Sequence, residues 1–208
     1  MRHFTFRPTL TLKGRTFKGL RGWSGKPLHP PLTDVPVTAY LFVAVFDVLS
    51  IALHDGHPST GRQLFLAAGW TLLGGVAVSL LAALTGAVDW YSSSEPGTQA
   101  RRTINAHAIT MIAVTALAVV NVVLRFTTYS DNSGTPLGLV VLSVAAGLLV
   151  SLGASLGGSL VYDYGFNVET AGDHPVWHKS EVDVLPGHPQ TSPDTAAELV
   201  PEPVAGNK

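Results

Sequence analysis

His29 stands in Lys26-Pro27-Leu28-His29-Pro30-Pro31-Leu32-Thr33-Asp34-Val35-Pro36, directly before the first of four long apolar runs. Three further groups able to do chemistry, Asp89, His107 and Asp163, fall at run ends that should share its side of a membrane. Two histidines on neighbouring helices can ligate a haem b. Imidazole and carboxylate together can hold a divalent metal, and a pocket so lined also suits a quinone head group or a proton relay. A plainer arrangement is favoured over all of these. In it His107 bonds Asp34 or Asp89, while Arg101 and Arg102 bond lipid phosphates and Asp163, pinning helix ends without chemistry. His29 reads as part of a Pro-rich turn rather than a helix, which counts against axial ligation.

The elements that must position these groups are the runs themselves: Val35–Leu53, Leu64–Val88, Ile104–Leu124 and Leu137–Val161. About 20 apolar residues cross the hydrocarbon core as a helix, so each is long enough to span. Leu139 to Val150 is apolar all round, where a soluble helix of that length would carry a polar stripe. Backbone groups in lipid must be bonded internally, and the runs are too long and too little alternating for barrel strands. Loops rich in turn formers, such as Asp55-Gly56 and Asp131-Asn132-Ser133-Gly134, make successive helices antiparallel neighbours. The expected fold is therefore an all-α membrane protein, a four-helix transmembrane bundle threaded up-down-up-down. Three segments are expected: a basic lead-in over 1–33, a four-span domain over 34–165, and an acidic, Pro-containing tail over 166–208 of disordered composition.

A net charge of −1 hides an asymmetry. Arg2, Arg7, Lys13, Arg15, Lys18, Arg21 and Lys26 precede the first span with no carboxylate among them. Arg101 and Arg102 lie in the second loop, whereas the other two loops hold only Arg62 and Arg125. The positive-inside rule places both termini and the second loop in the cytoplasm, so an inner-membrane, multi-pass protein is expected. The lead-in lacks a nucleic-acid-binding fold, and anionic lipid is its expected partner rather than nucleic acid. With that threading, His29, Asp34, Asp89, Arg101, Arg102, His107, Tyr162 and Asp163 all come to the cytoplasmic face.

Asp47 lies inside the first span, where a bare carboxylate costs about 2.5–3.5 kcal/mol on insertion scales. It must be protonated or paired, and Asn121, Arg125 and Tyr40 are the candidates for a buried polar cluster with it. A structural clasp is favoured over an intramembrane proton or ligand site, though Asp47 keeps a proton-coupled transporter in play. Spans one and three each begin near a histidine and carry a polar residue deep inside (Asp47, Asn121), which allows for a duplicated hairpin without arguing strongly for it. Gly153 and Gly157, and the glycines of span two, read as helix-packing faces, internal in preference to a homo-oligomer contact.

The chain has no cysteine, which excludes disulfides, thiol catalysis and cysteine-ligated metal centres. No Walker loop, Gly-x-Ser-x-Gly, His-Glu-x-x-His or dinucleotide fingerprint occurs. His54 and His57 in the first loop, and His174, His178 and His188 in the tail, have no ligand-set spacing.

Gly25-Lys-Pro-Leu-His-Pro-Pro-Leu-Thr-Asp-Val-Pro36, Thr85-Gly-Ala-Val-Asp-Trp90, Pro96-Gly-Thr-Gln-Ala-Arg-Arg102 leading to His107, and Gly157-Gly-Ser-Leu-Val-Tyr162 together resemble a bacterial membrane family, domain of unknown function 2231. The resemblance covers about Gly25 to Gly165. It implies a four-span domain, sometimes joined to Rieske-type or other redox domains, and supplies no catalytic residue. His29, Asp89, His107 and Tyr162 match its pattern. The expectation is a non-catalytic accessory or scaffold protein beside a redox partner, with no cofactor assigned. The main alternative is an oxidoreductase subunit binding haem b or quinone at the His/Asp cluster.

Overall fold

A computed structural model describes residues 19–20 and 27–168. Most of the basic lead-in, and the acidic tail from residue 169 onward, lie outside the described residues, so the expectations of lipid attraction and disorder fall there. Four helices make up the described fold: α1 His29–Leu53, α2 Pro58–Ser93, α3 Gln99–Thr127 and α4 Leu137–Tyr162. Each is long and apolar enough to cross a membrane, with mean hydropathy of 2.0, 2.0, 2.1 and 2.3 in order. Their apolar outer faces match a hydrocarbon environment: Leu84, Ile109, Ile112 and Leu148 are all largely exposed.

The helices extend beyond the apolar runs, most of all α2, which reaches from Pro58 to Ser93. His29 is accordingly the first residue of α1 and not part of a turn. Pro30 and Pro31 follow it in the first turn, where a missing N–H breaks no hydrogen bond and the fixed φ suits a helix. Asp89 belongs to the last turns of α2 rather than to a loop. Loop two is only residues 94–98, closed by Gly97 at φ +84° and by Thr98, whose Oγ1 caps α3 by accepting from Arg101 N at 3.1 Å.

Cross-helix bonds give the threading. Ser50 Oγ reaches Gly61 O at 2.7 Å and Tyr40 OH reaches Ser79 Oγ at 3.0 Å, so α1 and α2 run antiparallel. Arg125 to Phe65 O and Trp90 to Asn105 do the same for α2 and α3; Asn121 to Leu139 O and His107 to Gly153 O do it for α3 and α4. α4 also lies against α1, which leaves α1 and α3 opposed across the diagonal. The core at mid-bundle is built mostly from small and aliphatic residues, among them Val43, Ala68, Leu72, Val114 and Val150 around Tyr40. Close helix approach depends on Gly75, where a Cβ would stand 2.9 Å from that of Ala39.

Candidate functional site

The two ends of the bundle solve the problem of polar groups in different ways. At the end holding loops one and three, Asp47, Arg125, Asn121 and Thr135 are all buried. Arg125 Nη2 donates to both oxygens of Asp47, at 2.9 and 2.7 Å, and Nη1 donates to Phe65 O at 2.9 Å. Thr135 Oγ1 donates to Asp47 Oδ1 at 3.0 Å, and Asn121 Oδ1 accepts a longer bond of 3.4 Å from Arg125. The guanidinium carbon also stands 4.7 Å from the Phe65 ring centre. Each charge is met by an opposite charge and further hydrogen bonds, as a buried ion pair requires. Gly69 opens the path for Arg125, whose Cδ would lie 3.0 Å from a Cβ there. Tyr40 is not in this group, because its hydroxyl is used by Ser79 one helix away.

At the other end His29 and His107 approach across the diagonal, with ring centroids 6.4 Å apart and planes at 84°. Each ring is oriented by the helix beside it. His29 Nδ1 lies 2.8 Å from Ala82 O on α2, and His107 Nδ1 lies 2.8 Å from Gly153 O on α4. A carbonyl only accepts, so both Nδ1 atoms carry hydrogen, which in the neutral imidazole leaves the lone pair on Nε2. Thr85 Oγ1, which donates to the same Ala82 carbonyl at 2.9 Å, stands 3.4 Å from His29 Nδ1. Glycines make room for both rings: a Cβ on Gly86 would lie 2.8 Å from His29 Cε1, and one on Gly157 would lie 3.2 Å from His107 Cε1. Among the described residues neither Nε2 has a hydrogen-bond partner.

The remaining end-of-span residues do not join this pair. Asp89 is buried and accepts from Leu20 N at 3.2 Å, which ties the chain preceding α1 to the bundle end. Asp34, Tyr162 and Asp163 are exposed. The reason is azimuth: five residues after His29, Asp34 is turned about 140° around its helix, and Tyr162 is turned about 200° from buried Leu160. The expected His107–Asp34 and His107–Asp89 bonds are thus replaced by a backbone carbonyl. Arg101 does not reach Asp163 but stacks on Trp90, 3.8 Å from the ring centre, and donates to Trp90 O and to Ser94 O and Oγ. Arg102 donates to Gln99 Oε1, and Trp90 Nε1 donates to Asn105 Oδ1 at 2.8 Å. These bonds tie the end of α2 to the start of α3 around loop two.

Sequence reasoning missed the parts that make the two sites work. Thr135, the carbonyls of Ala82 and Gly153, and the clearances at Gly86 and Gly157 were not singled out for those roles. Gly153 and Gly157 carried a signal as small residues in an apolar helix, and they serve contacts inside the bundle. A Cβ on Gly153 would meet Met111, while Gly157 faces the His107 ring. Among the described residues no group of three or more His, Asp or Glu gathers as a metal set.

No curated protein and no solved structure matches this chain. The family described as "Predicted membrane protein (DUF2231)" matches residues 25–170, which takes in all four helices and both polar clusters. The chain therefore belongs to this family of predicted membrane proteins.

Proposed function

We propose that this multi-pass membrane protein holds one haem-type group between His29 and His107 and serves as an electron-transfer accessory to a redox partner. The observation that carries the reading is the paired geometry of the two rings. Two imidazoles bound through Nε2 on opposite sides of one metal, with bonds of about 2.0–2.1 Å, have centroids roughly 6.3 Å apart. The rings here stand 6.4 Å apart. Metal-ligating histidines almost always donate their other N–H to a carbonyl or carboxylate, which sets tautomer and orientation. Both rings donate to a carbonyl here.

The donor set narrows the ligand class. A protein zinc site wants three or four protein ligands, whereas two histidines suffice for an iron that brings its own equatorial nitrogens. Such a group supplies one-electron transfer when bound. The protein's part is to fix the two rings, to supply apolar walls, and to tie α2 to α3 with Arg101 and Trp90. None of the α3 residues between Ile104 and Val114 is buried, so His107 stands on the least enclosed stretch of that helix. The basic side of the sequence favours a cytoplasmic position for this end and an inner-membrane location, with the lead-in against anionic lipid.

A reduced-minus-oxidised absorption spectrum of the full chain purified from cells supplied with haem precursor tests the reading. A haem band present in the wild type and lost in His107→Ala is expected. A colourless protein, or a band unchanged in His107→Ala, overturns it.

A further inference from the structure

The two hairpins, α1–α2 and α3–α4, place their working residues at matching positions. His107 follows His29 by 78 residues, and Arg125 follows Asp47 by the same 78. Three more buried residues of α3 obey that offset: Val114, Ala118 and Asn121 fall on Pro36, Tyr40 and Val43, all buried in α1. The second helices match at an offset of 71. Gly153, which accepts from His107, follows Ala82, which accepts from His29, by 71; Gly157 follows Gly86 by 71 as well. Every buried position of α4, from Leu139 to Leu160, lies 71 residues beyond a buried position of α2, from Ala68 to Asp89.

Any two helices with one buried stripe can be slid until the stripes agree, so burial alone decides little. The decisive point is that two fixed offsets bring ligand onto ligand, carbonyl anchor onto carbonyl anchor, clearing glycine onto clearing glycine, and one partner of the ion pair onto the other. The offsets differ by 7 residues, about two helical turns, which keeps each residue on the same face. The ion pair follows the first offset, and its outer contacts fall one residue away from the second. Arg125 reaches Phe65 O on α2, and 71 residues after Phe65 comes Pro136, next to Thr135, which reaches Asp47. One position breaks the rule instructively: Gly69, which clears Arg125, corresponds to Val140, which the rule would set opposite the smaller Asp47.

We propose that the bundle is a duplicated hairpin, its halves related by a two-fold axis running along the helices, and that the His29–His107 pair is one site on that axis, taking a planar metal centre equivalently from both faces. Parallel repeats about an axis along the membrane normal are an established way to build membrane bundles. The ligand-class part rests on the haem reading above; the duplication does not. Asp47 and Arg125 are the axis's second station, closed by opposite charges where the first is left open by two lone pairs.

Two arms separate the claims. In the first, ferric protoporphyrin IX is added to the purified full chain and to its His29→Ala and His107→Ala variants. Both variants should change from a low-spin to a high-spin spectrum, and added imidazole should restore both to the same extent. If one variant keeps the wild-type spectrum, the two-faced site is overturned while haem binding stands. If the wild type takes up no porphyrin, the haem reading fails and the second arm alone decides the duplication. There the charges are exchanged as D47R/R125D, with Val140→Gly supplying the clearance that Gly69 gives Arg125. The exchanged protein with V140G should recover at least half of the thermal-midpoint loss seen in D47R alone, and more than the same exchange carrying V141G. Recovery no better than D47R, or equal recovery with V141G, overturns the duplication.

Discussion

Asp47 and Arg125 meet inside the bundle through one guanidinium nitrogen placed 2.9 and 2.7 Å from the two carboxylate oxygens. Both side chains are essentially sealed from the surroundings, at 0% and 2% exposure, so neither charge has water to fall back on. Removing one partner leaves the other buried and unpaired, which costs about 3–5 kcal/mol. Asp47→Ala and Arg125→Ala should each destabilise by that order in thermal unfolding in detergent micelles. The double replacement Asp47→Leu with Arg125→Met, which leaves no stranded charge, should cost clearly less than either. A double variant as unstable as the worse single one would contradict the pairing.

Gly86 leaves less room against the histidine rings than Gly157 does. A Cβ on Gly86 would lie 2.8 Å from one His29 ring atom and 3.0 Å from Nδ1. Gly86→Val should push the ring off Ala82 and weaken porphyrin binding on the order of 10–100-fold, the usual effect of losing an orienting bond. Gly74→Ala, with nothing within 4 Å of the added Cβ, is the matched control and should bind as the wild type does. Equal affinities in the two variants would remove His29 from the site.

The absence of cysteine allows a single thiol to report the side of the membrane. Glu95 and Ser133 are exposed in loops two and three, at opposite ends of the bundle. With the orientation proposed from the positive-inside rule, an impermeant thiol reagent added to intact spheroplasts should label Ser133→Cys and spare Glu95→Cys, which stands beside Arg101 and Arg102. The reverse pattern would put the histidine end on the outer side.

Depth was legible in the sequence and azimuth was not. Four spans could be read because the bilayer demands about 20 apolar residues for each crossing. The Asp47–Arg125 contact was within reach for a similar reason, since a charge in an apolar run must find a partner. Asp34, Tyr162 and Asp163 lie at the expected ends but face outward, because membership of a level says nothing about direction around the helix. The anchors of His29 and His107 were hidden because every residue offers a carbonyl, and only the packed helices select Ala82 and Gly153. His29 looked like a turn residue between prolines, yet prolines in a first helical turn extend the helix back to it. In the duplicated hairpin we propose, Asp47 in span one corresponds to Arg125 in span three and not to Asn121.

The most direct measurement is a titration of the purified full-length protein with ferric protoporphyrin IX, followed by its low-spin absorption spectrum. Saturation at one porphyrin per chain, with the low-spin form absent in both His29→Ala and His107→Ala, is the predicted result. Unsaturable uptake, or a low-spin spectrum that survives loss of either histidine, would contradict the account.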